Sequence, residues 1–285
     1  MASIHIRDRI ATIRGPGTLL VASDLHGNLK DLQRMVELLD QEEDGALLLL
    51  GDLFHGPSVT REEWEILYAH LADYYPDESA EVFRTFARLL KERTGRVTSL
   101  LGNHDHAHVG GPVVSKFYDD EAAAMEMSLD DDEIPHLQRV LSALPLIAVS
   151  DSRVAFTHAA PPDIPFDAAL LASVALDGYS GVPLYAMHRY DILGGLLWTR
   201  GATEVVTRRF LSSLAAAAAP SCNAVVHGHE IIDTGFDVEN KCLITLSTSF
   251  GMKAPAKTYL RLDLGTTYLN AVDLVSRKAL LPLYP

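Results

Sequence analysis

The chain has 285 residues, 48% of them hydrophobic, so it can bury one large core or two small ones. Its formal net charge of −14 argues against a nucleic-acid surface, which needs stripes of Lys and Arg, but allows a small phosphorylated substrate held by bound cations. Two cysteines form no disulfide framework, residues 1–14 lack the apolar run of a secretion signal, and no apolar stretch reaches membrane-span length, which together predict a soluble cytoplasmic protein.

Strand-like and helical patterns alternate through the first half of the chain. Short apolar runs predict buried strands at 17–23, 46–50 and 97–101. Apolar residues at helical spacing predict helices at 28–40, near 60–73 and near 78–93. Asn28 is the predicted N-cap of the first helix. This alternation favours a parallel sheet.

The second half contains more strands in direct succession. We expect strands at 144–149 and 154–157 and near 223–227, 242–247, 257–264 and 268–275. Between them, residues 160–195 are rich in Pro and Gly and look irregular, and 203–219 is helical. The acidic stretch 119–133 is interpreted as a solvated loop and helix edge without function. Successive strands favour antiparallel pairing in a meander, and no linker divides the chain, so we predict a single domain over 1–285.

Five short motifs place metal-ligand residue types directly after strand-like runs. They are Asp24-Leu25-His26-Gly27-Asn28, Gly51-Asp52, Gly102-Asn103-His104-Asp105, His158 and Gly228-His229. Loops at the carboxyl ends of strands carry the sites of open α/β sheets, so these motifs are expected to meet. The predicted metal ligands are Asp24, His26, Asp52, Asn103, His158 and His229.

The chemistry of these side chains indicates a two-metal site. Asp24 and His26 can turn toward one cation, and the two oxygens of Asp52 can bridge two cations. A mixed oxygen and nitrogen set favours Mn, Fe, Zn, Ni or Co over Ca or Mg. Two such cations about 3.5–4 Å apart form a hydrolytic arrangement. His104 is then placed to protonate a leaving oxygen, and Asp105 to orient its ring.

Taken together, the motifs resemble the calcineurin-like metallophosphoesterases. The closest branch is the phosphoprotein phosphatases, which include eukaryotic serine/threonine phosphatases and bacterial diadenosine tetraphosphatases. The resemblance runs from about residue 18 to about 251; the family's GDxHG, GNHE and LLWSDP motifs correspond to 23–27, 102–105 and 196–201. It implies an α/β fold, an αββα sandwich of two mixed sheets flanked by helices. It also implies one metal on Asp24, His26 and Asp52, a second on Asp52, Asn103, His158 and His229, and His104 as general acid.

One departure from the family concerns the grip on phosphate. The family's GDxVDRG segment supplies an aspartate and a phosphate-binding arginine, but His55 and Gly56 stand in their place here. Arg200 is a candidate replacement, because a guanidinium suits two phosphate oxygens, although a structural ion pair is equally open. His55 is expected to contact substrate or help to position His104. His227 is predicted at the pocket rim, since it lies two residues before a ligand on a strand.

The resemblance implies a dinuclear phosphoric monoester hydrolase of the serine/threonine protein phosphatase type. A metal-bound hydroxide would attack the phosphorus in line, manganese is the expected metal, and the substrate would be a phosphorylated protein or a small phosphoester. Two alternatives stay open: a nucleotide hydrolase of the diadenosine tetraphosphate type, and a catalytically silent phospho-binding protein. Neither nucleic acid nor a membrane is expected as a partner.

Overall fold

A computed structural model describes residues 1–285, and its strands form two sheets. The strands are β1 Ser3–Arg7, β2 Ile10–Arg14, β3 Thr18–Ala22, β4 Ala46–Leu49, β5 Val97–Ser99, β6 Ile147–Ser150, β7 Val154–Thr157, β8 Ala224–His227, β9 Phe236–Asn240, β10 Leu243–Leu246, β11 Thr258–Asp263 and β12 Leu280–Pro282. The helices are α1 Leu29–Asp40, α2 Arg61–Leu67, α3 Ser79–Glu92, α4 Asn103–His106, α5 Glu121–Glu126, α6 Glu133–Ser142, α7 Ala168–Ala172, α8 Leu184–Met187, α9 Ile192–Trp198, α10 Glu204–Ala217 and α11 Ala271–Ser276.

Both sheets are mixed. The five-stranded sheet has the order β12-β11-β3-β4-β5, and the seven-stranded sheet has the order β1-β2-β6-β7-β8-β10-β9. In the first, β3, β4 and β5 run parallel, which confirms the expectation from strand–helix alternation. In the second, β6 and β7 pair antiparallel as expected, but β7 with β8 and β8 with β10 pair parallel. Two mixed sheets flanked by helices confirm the αββα sandwich.

The central strands are apolar throughout because both of their faces are buried. Leu48 of β4 and Phe156 of β7 belong to one apolar cluster that fills the space between the two sheets. Leu47, which points to the other face of β4, packs in a second cluster with Met35 of α1. Burial on both faces explains the continuous apolar runs that predicted these strands.

The prediction of a C-terminal meander is wrong. Within the predicted strand 268–275, the chain forms helix α11, whose first backbone N–H groups are capped by Asn270, which accepts from the N–H of Asp273 at 3.0 Å. Ala271 and Leu274 are buried three residues apart, which is helical spacing. β11 leaves the neighbouring strands and pairs with β3 in the other sheet.

Two segments have more structure than the sequence indicated. The acidic stretch 119–133 contains helix α5. The first residue of this helix, Glu121, is only 1% exposed, whereas the sequence predicted a solvated segment. The irregular region 160–195 contains the short helices α7 and α8 and the start of α9. None of the helices is both long and apolar enough to cross a membrane.

Candidate metal centre

A cavity of about 370 Å³ opens at the carboxyl ends of β3, β4, β5 and β8, where the two sheets meet. Five of the six predicted ligands line it: Asp24, His26, Asp52, Asn103 and His229. The sixth, His158, is fully buried and does not line the cavity, but its Nε2 lies 2.8 Å from Oδ1 of Asn103. The structure therefore brings together all six side chains that the strand-end motifs selected.

The carboxylate of Asp52 is the centre of the cluster. Its Oδ2 lies 3.5 Å from Nε2 of His26 and 3.6 Å from Nε2 of His158. Its Oδ1 accepts a hydrogen bond from the backbone N–H of His104 at 2.9 Å, which fixes the plane of the carboxylate. One oxygen is thus held by the backbone, and the other faces two imidazoles from different sheets. This is the placement that a bridging ligand requires.

Two imidazoles are held in the form that binds metal. Nδ1 of His26 lies 3.2 Å from the carbonyl oxygen of His55, and Nδ1 of His158 lies 2.8 Å from that of Leu50. A carbonyl only accepts, so each Nδ1 carries the proton and each Nε2 presents a lone pair to the cavity. A backbone partner on the other ring nitrogen is the usual support of a metal-bound histidine.

Several lone pairs in the cluster have no donor, which fits a cation. Nε2 of His158 lies 2.8 Å from Oδ1 of Asn103, so two acceptors face each other with no proton between them. Nε2 of His229 is buried without a hydrogen-bond partner. Buried acceptors left unpaired are costly, and a divalent cation would satisfy both of these groups. The residues present therefore fit a metal ion.

The backbone at the ligands is strained. Four of them adopt left-handed conformations that non-glycine residues rarely take: Asp24, His26, Asp52 and His229, with φ of 51°, 44°, 51° and 69°. Such residues cost of order 1–3 kcal/mol each and cluster at functional sites. Each of these turns follows the end of a strand and directs its side chain into the cavity.

Two motif glycines are required by close approach to ligands. A Cβ on Gly102 would collide with the backbone nitrogen and carboxylate of Asp52, and one on Gly228 would collide with the carboxylate of Asp24. Asp24 accepts from the backbone N–H of His229 through both oxygens, at 3.1 and 3.0 Å. The loops can pack this tightly against the ligands only because these positions lack a side chain.

Burial sets the protonation states of the cluster. It raises the pKa of Asp24 to about 7, lowers the pKa of His26 to about 4 and lowers the pKa of His229 well below its usual value. Burial also acts to raise the pKa of Asp52, but the neighbouring imidazoles of His158, His104 and His26 outweigh it and bring that pKa well below its usual value. The rings of His26 and His229 are therefore neutral near pH 7, which is the form of an imidazole that binds a metal.

His104 lies beside the cluster and is held by a carboxylate that the sequence did not reveal. Its ring lines the cavity 4.7 Å from the ring of His26, and its Nδ1 lies 2.7 Å from Oε2 of Glu121. The other oxygen of Glu121 accepts from the backbone N–H groups of Lys116 and Phe117, both at 2.9 Å. Burial acts to lower the pKa of His104, but Asp52 and Glu121 outweigh it and raise that pKa. Nε2 is then the free nitrogen of a protonated ring.

Asp105 has a different role from the predicted one. Its two carboxylate oxygens accept from the backbone N–H groups of Leu53 at 3.0 Å and Gly102 at 3.1 Å. Asp105 therefore ties the β4 loop to the start of α4 and does not orient the ring of His104. Its place in the first turn of a helix explains this, since a carboxylate there satisfies free N–H groups.

Of the three predicted substrate contacts, only Arg200 lines the cavity. Its side chain is 73% exposed and pairs with Glu230 at 2.6 Å. His55 is 1% exposed and lies behind His104, with its Nε2 2.9 Å from Nε2 of His108. His55 therefore lies where it can support the general-acid loop and not where it can touch substrate.

His227 is not at the cavity rim. It is fully buried, and its Nε2 lies 2.7 Å from Oε1 of Glu239 and 3.1 Å from Oγ1 of Thr245. The prediction assumed that the strand continues to His229, but β8 ends at His227 and the backbone at His229 is left-handed, with φ of 69°. The alternation of faces therefore does not extend to the ligand.

Lys116 lines the cavity and was missed in the sequence. Its side chain is exposed, and its Nζ lies 3.8 Å from the centroid of the Phe250 ring, within cation–π distance. No motif surrounds Lys116, so nothing local in the sequence distinguishes it. It places a second positive charge on the cavity wall, in addition to Arg200.

The comparisons with known proteins agree with this geometry. The model of the family described as calcineurin-like phosphoesterase matches residues 17–233. A protein serine/threonine phosphatase from Saccharomyces cerevisiae with similarity to human phosphatase PP5 superimposes with a TM-score of 0.61 at 16% identity, over 87% of this chain and 73% of its own. A cold-active protein-tyrosine phosphatase of a psychrophilic Shewanella species gives 0.57 at 17% identity, over 90% and 78%. No curated protein sequence matches the chain. At these identities, the two structures confirm the fold.

Metal binding should weaken as the pH falls below about 7. The pKa of Asp24 is raised to about 7, so a cation must displace a proton from it at lower pH. The buried carboxyl of Asp105, whose pKa burial and Asp52 also raise to about 7, lies beside the site and should release a further proton. We expect calorimetric Mn²⁺ titrations in buffers of different protonation enthalpy to show about one or two protons released near pH 6 and almost none near pH 8.5. Equal release at both pH values would contradict this account.

Proposed function

We propose that this chain, which belongs to the calcineurin-like phosphoesterase family, is a divalent-metal-dependent hydrolase of phosphomonoesters. One observation carries the proposal. Side chains of the six ligand positions converge on one cavity, with unpaired lone pairs among them and a carboxylate-held His104 at its wall. Ligands and a proton donor on the same cavity are what phosphoryl transfer to water needs.

The ligand atoms fall into two groups that share Asp52. Of the three clusters of possible metal-ligand atoms within 4.8 Å of one another, two contain Asp52: one has His26, Asp52 and His104, and the other has Asp52, His158 and His229. His104 is assigned here as the proton donor and not as a ligand, because its Nδ1 is held by Glu121. Asp24, His26 and Asp52 would hold one metal, and Asp52, Asn103, His158 and His229 the second. Bound metals would acidify a water molecule and offset the charge of the phosphoryl oxygens. Manganese is the proposed metal, and Fe, Zn, Ni and Co also suit this oxygen and nitrogen set.

The chain's own contribution to the chemistry is the proton for the leaving oxygen. His104 donates it from Nε2, because Nδ1 is engaged by Glu121. The same carboxylate stabilises the protonated ring, so His104 holds its proton until an oxygen that needs it is present. Glu121 is a positioning residue, since it acts on the reaction through His104.

Two cations on the cavity wall support the binding of a phosphate group. Arg200 has a guanidinium that can hold two phosphate oxygens at once, and its present partner, Glu230, is the carboxylate that phosphate would replace. Lys116 contacts the rings of Phe117 and Phe250, and its ammonium faces the same cavity. Together they offset the missing GDxVDRG arginine in a chain whose formal charge is −14.

The sequence resemblance supports a phosphoserine or phosphothreonine protein, and the two fold neighbours are named as a serine/threonine phosphatase and a tyrosine phosphatase. A hydrolase of the diadenosine tetraphosphate type would use the same ligands, and hydrolysis of that dinucleotide in preference to any phosphomonoester would favour it. The converged ligand set argues against a silent phospho-binding protein.

Asp52→Asn should remove both metals. A neutral amide cannot balance two cations, and even the groups that support metal ligands are each worth about 10–100-fold, so we expect a loss of more than about 100-fold in turnover of p-nitrophenyl phosphate. Mass spectrometry of the purified chain should show the bound metal falling from two ions per chain to less than one. The matched control is Asp131→Asn, because Asp131 is exposed and does not line the cavity. Two metals and normal turnover in Asp52→Asn would refute the dinuclear proposal.

His104→Asn should lower kcat by about 10²–10⁴, the usual worth of general acid–base catalysis, with metal content unchanged. The loss should shrink for p-nitrophenyl phosphate, whose leaving group hardly needs a proton. Glu121→Gln should give a smaller loss and shift the alkaline limb of the pH–rate profile to lower pH, because Glu121 raises the pKa of His104. A Glu121→Gln profile that keeps its alkaline limb would show that the carboxylate is merely structural.

Arg200→Ala should weaken the binding of both substrate and inorganic phosphate by about tenfold or more, because hydrogen bonds to charged groups are worth about 1.5–3 kcal/mol. Arg200→Lys should recover part of this, since an ammonium cannot match the guanidinium fork. Lys116→Ala should act in the same direction. Arg209 is the control, because it is similarly exposed and similarly paired, to Asp163 at 2.7 Å, but lies away from the cavity. If phosphate inhibition is equal in the Arg200, Lys116 and Arg209 variants, neither cation grips phosphate.

A further inference from the structure

A second cavity of about 390 Å³ adjoins the metal cavity, and seven of its ten lining residues are hydrophobic. Its walls are formed by Trp64, Tyr68, Leu71, Phe117, Ile231 and Phe250, which we call the aromatic groove. Three residues line both cavities: Lys116, Ile231 and Phe250. The groove is therefore an apolar extension of the site that holds the ligands.

The floor of the groove is buried and its rim is open. Trp64 is 5% exposed, donates from Nε1 to the carbonyl of Ala72 at 3.0 Å, and packs its ring 5.2 Å from that of Tyr68. At the rim, Leu71 is 59% exposed and Ile231 is 47% exposed. Exposed aliphatic side chains around a buried aromatic floor are typical of a ligand-binding surface.

The groove begins directly beside the reacting groups. The ring of His104 lies 4.7 Å from that of His26, the ring of His26 lies 4.5 Å from that of Phe250, and the ring of Phe250 lies 5.7 Å from that of Phe117. A leaving oxygen must lie within hydrogen-bond reach of His104 to receive its proton. Whatever is attached to that oxygen then meets Phe250 first, and the groove beyond it.

We propose that the aromatic groove binds the leaving group, and that the preferred substrate is an aryl phosphomonoester, with its ring attached directly to the phosphate oxygen. This inference rests on the proposed function and adds a substrate class to it. The aromatic wall starts at Phe250, in contact with a ligand, so it meets the first atoms of the leaving group. A polar spacer such as a sugar would set most of its hydroxyls against apolar side chains, because Asp233 is the one carboxylate among the ten lining residues, and a serine side chain would leave the groove empty.

The charge at the junction agrees with such a substrate. Nζ of Lys116 lies 3.8 Å from the centroid of Phe250 and 5.5 Å from that of Phe117, at the boundary between the polar and the apolar cavity. A dianionic phosphate on one side and an aromatic ring on the other would both be favourable neighbours of this ammonium. An aryl phosphate places these two groups next to each other.

The test compares two substrates with leaving groups of similar acidity, phenyl phosphate and hexafluoroisopropyl phosphate, in the Mn²⁺-loaded chain. We expect kcat/KM to favour the aryl substrate by about tenfold, the size of aromatic pair contacts. Leu71→Asn and Ile231→Asn should bring this ratio close to one. Ile66→Asn is the matched control, because Ile66 lies on the same helix as Trp64, is 81% exposed and is outside the groove. A ratio near one in the unmodified chain, or one that the groove variants leave unchanged, would overturn the proposal.

Two further arms separate this proposal from the proposed function. In metal-free Trp198→Phe, Trp64 is the one remaining tryptophan of the two in the chain, so its fluorescence reports on the groove. We expect p-cresol to quench the fluorescence of Trp64. Adding Leu71→Asn to this variant should weaken p-cresol binding, whereas adding Ile66→Asn should not. No turnover of any phosphomonoester by the unmodified, Mn²⁺-loaded chain, with p-cresol binding retained, would contradict the proposed function alone. Absence of p-cresol binding would contradict the groove. Two peptides of the same sequence, one with phosphotyrosine and one with phosphoserine, show whether kcat/KM also favours the aromatic ring in a polypeptide. A higher kcat/KM for the phosphoserine peptide would overturn the aryl assignment.

Discussion

The arrangement of the site depends on one buried carboxylate. Asp52 is 2% exposed at the end of β4, with one oxygen held by the backbone of His104 and the other facing imidazoles of both sheets. A carboxylate in this position is costly unless positive charge surrounds it. The left-handed turns at Asp24, His26 and His229 and the glycines at 102 and 228 bring the other candidate ligands to the same cavity, where a cation would offset this cost.

The same requirement explains why two sheets are needed. The candidate ligands follow β3, β4 and β5 of the five-stranded sheet, and β7 and β8 of the seven-stranded sheet. Hydrogen bonds at the site also join the sheets: His158 binds the carbonyl of Leu50 through Nδ1, and the backbone N–H of His229 donates to Asp24. The ligands therefore help to fix the two sheets relative to each other, and the apolar layer beneath them provides a rigid support.

Sequence reasoning succeeded where function is local to a strand end and failed where it depends on packing. The convergence of the six candidate ligand positions on one site was predictable, because each follows a short apolar run at the end of a strand. Asp105 was assigned to His104 because it is next in the chain, but at the start of a helix its carboxylate satisfies backbone N–H groups instead. Glu121 lies in an acidic stretch, 17 residues beyond His104, and only the fold of that segment brings it to the ring. The helix α11 was misread because its apolar residues also suit a short strand.

The segment from Lys116 to Glu121 supplies the kinds of charge that the family motif has at the positions of His55 and Gly56. Where the family has an aspartate and an arginine in one motif, one later loop of this chain places a carboxylate on His104, the proposed general acid, and a cation on the cavity wall. The two are linked, because Glu121 accepts hydrogen bonds from the backbone of Lys116 and Phe117 while it holds His104. Phe117 of the same loop forms a wall of the aromatic groove. A shift of this loop would therefore move Lys116, Phe117 and Glu121 together. The phosphate contact, the acidity of His104 and the fit of the leaving group that we propose are coupled for this reason.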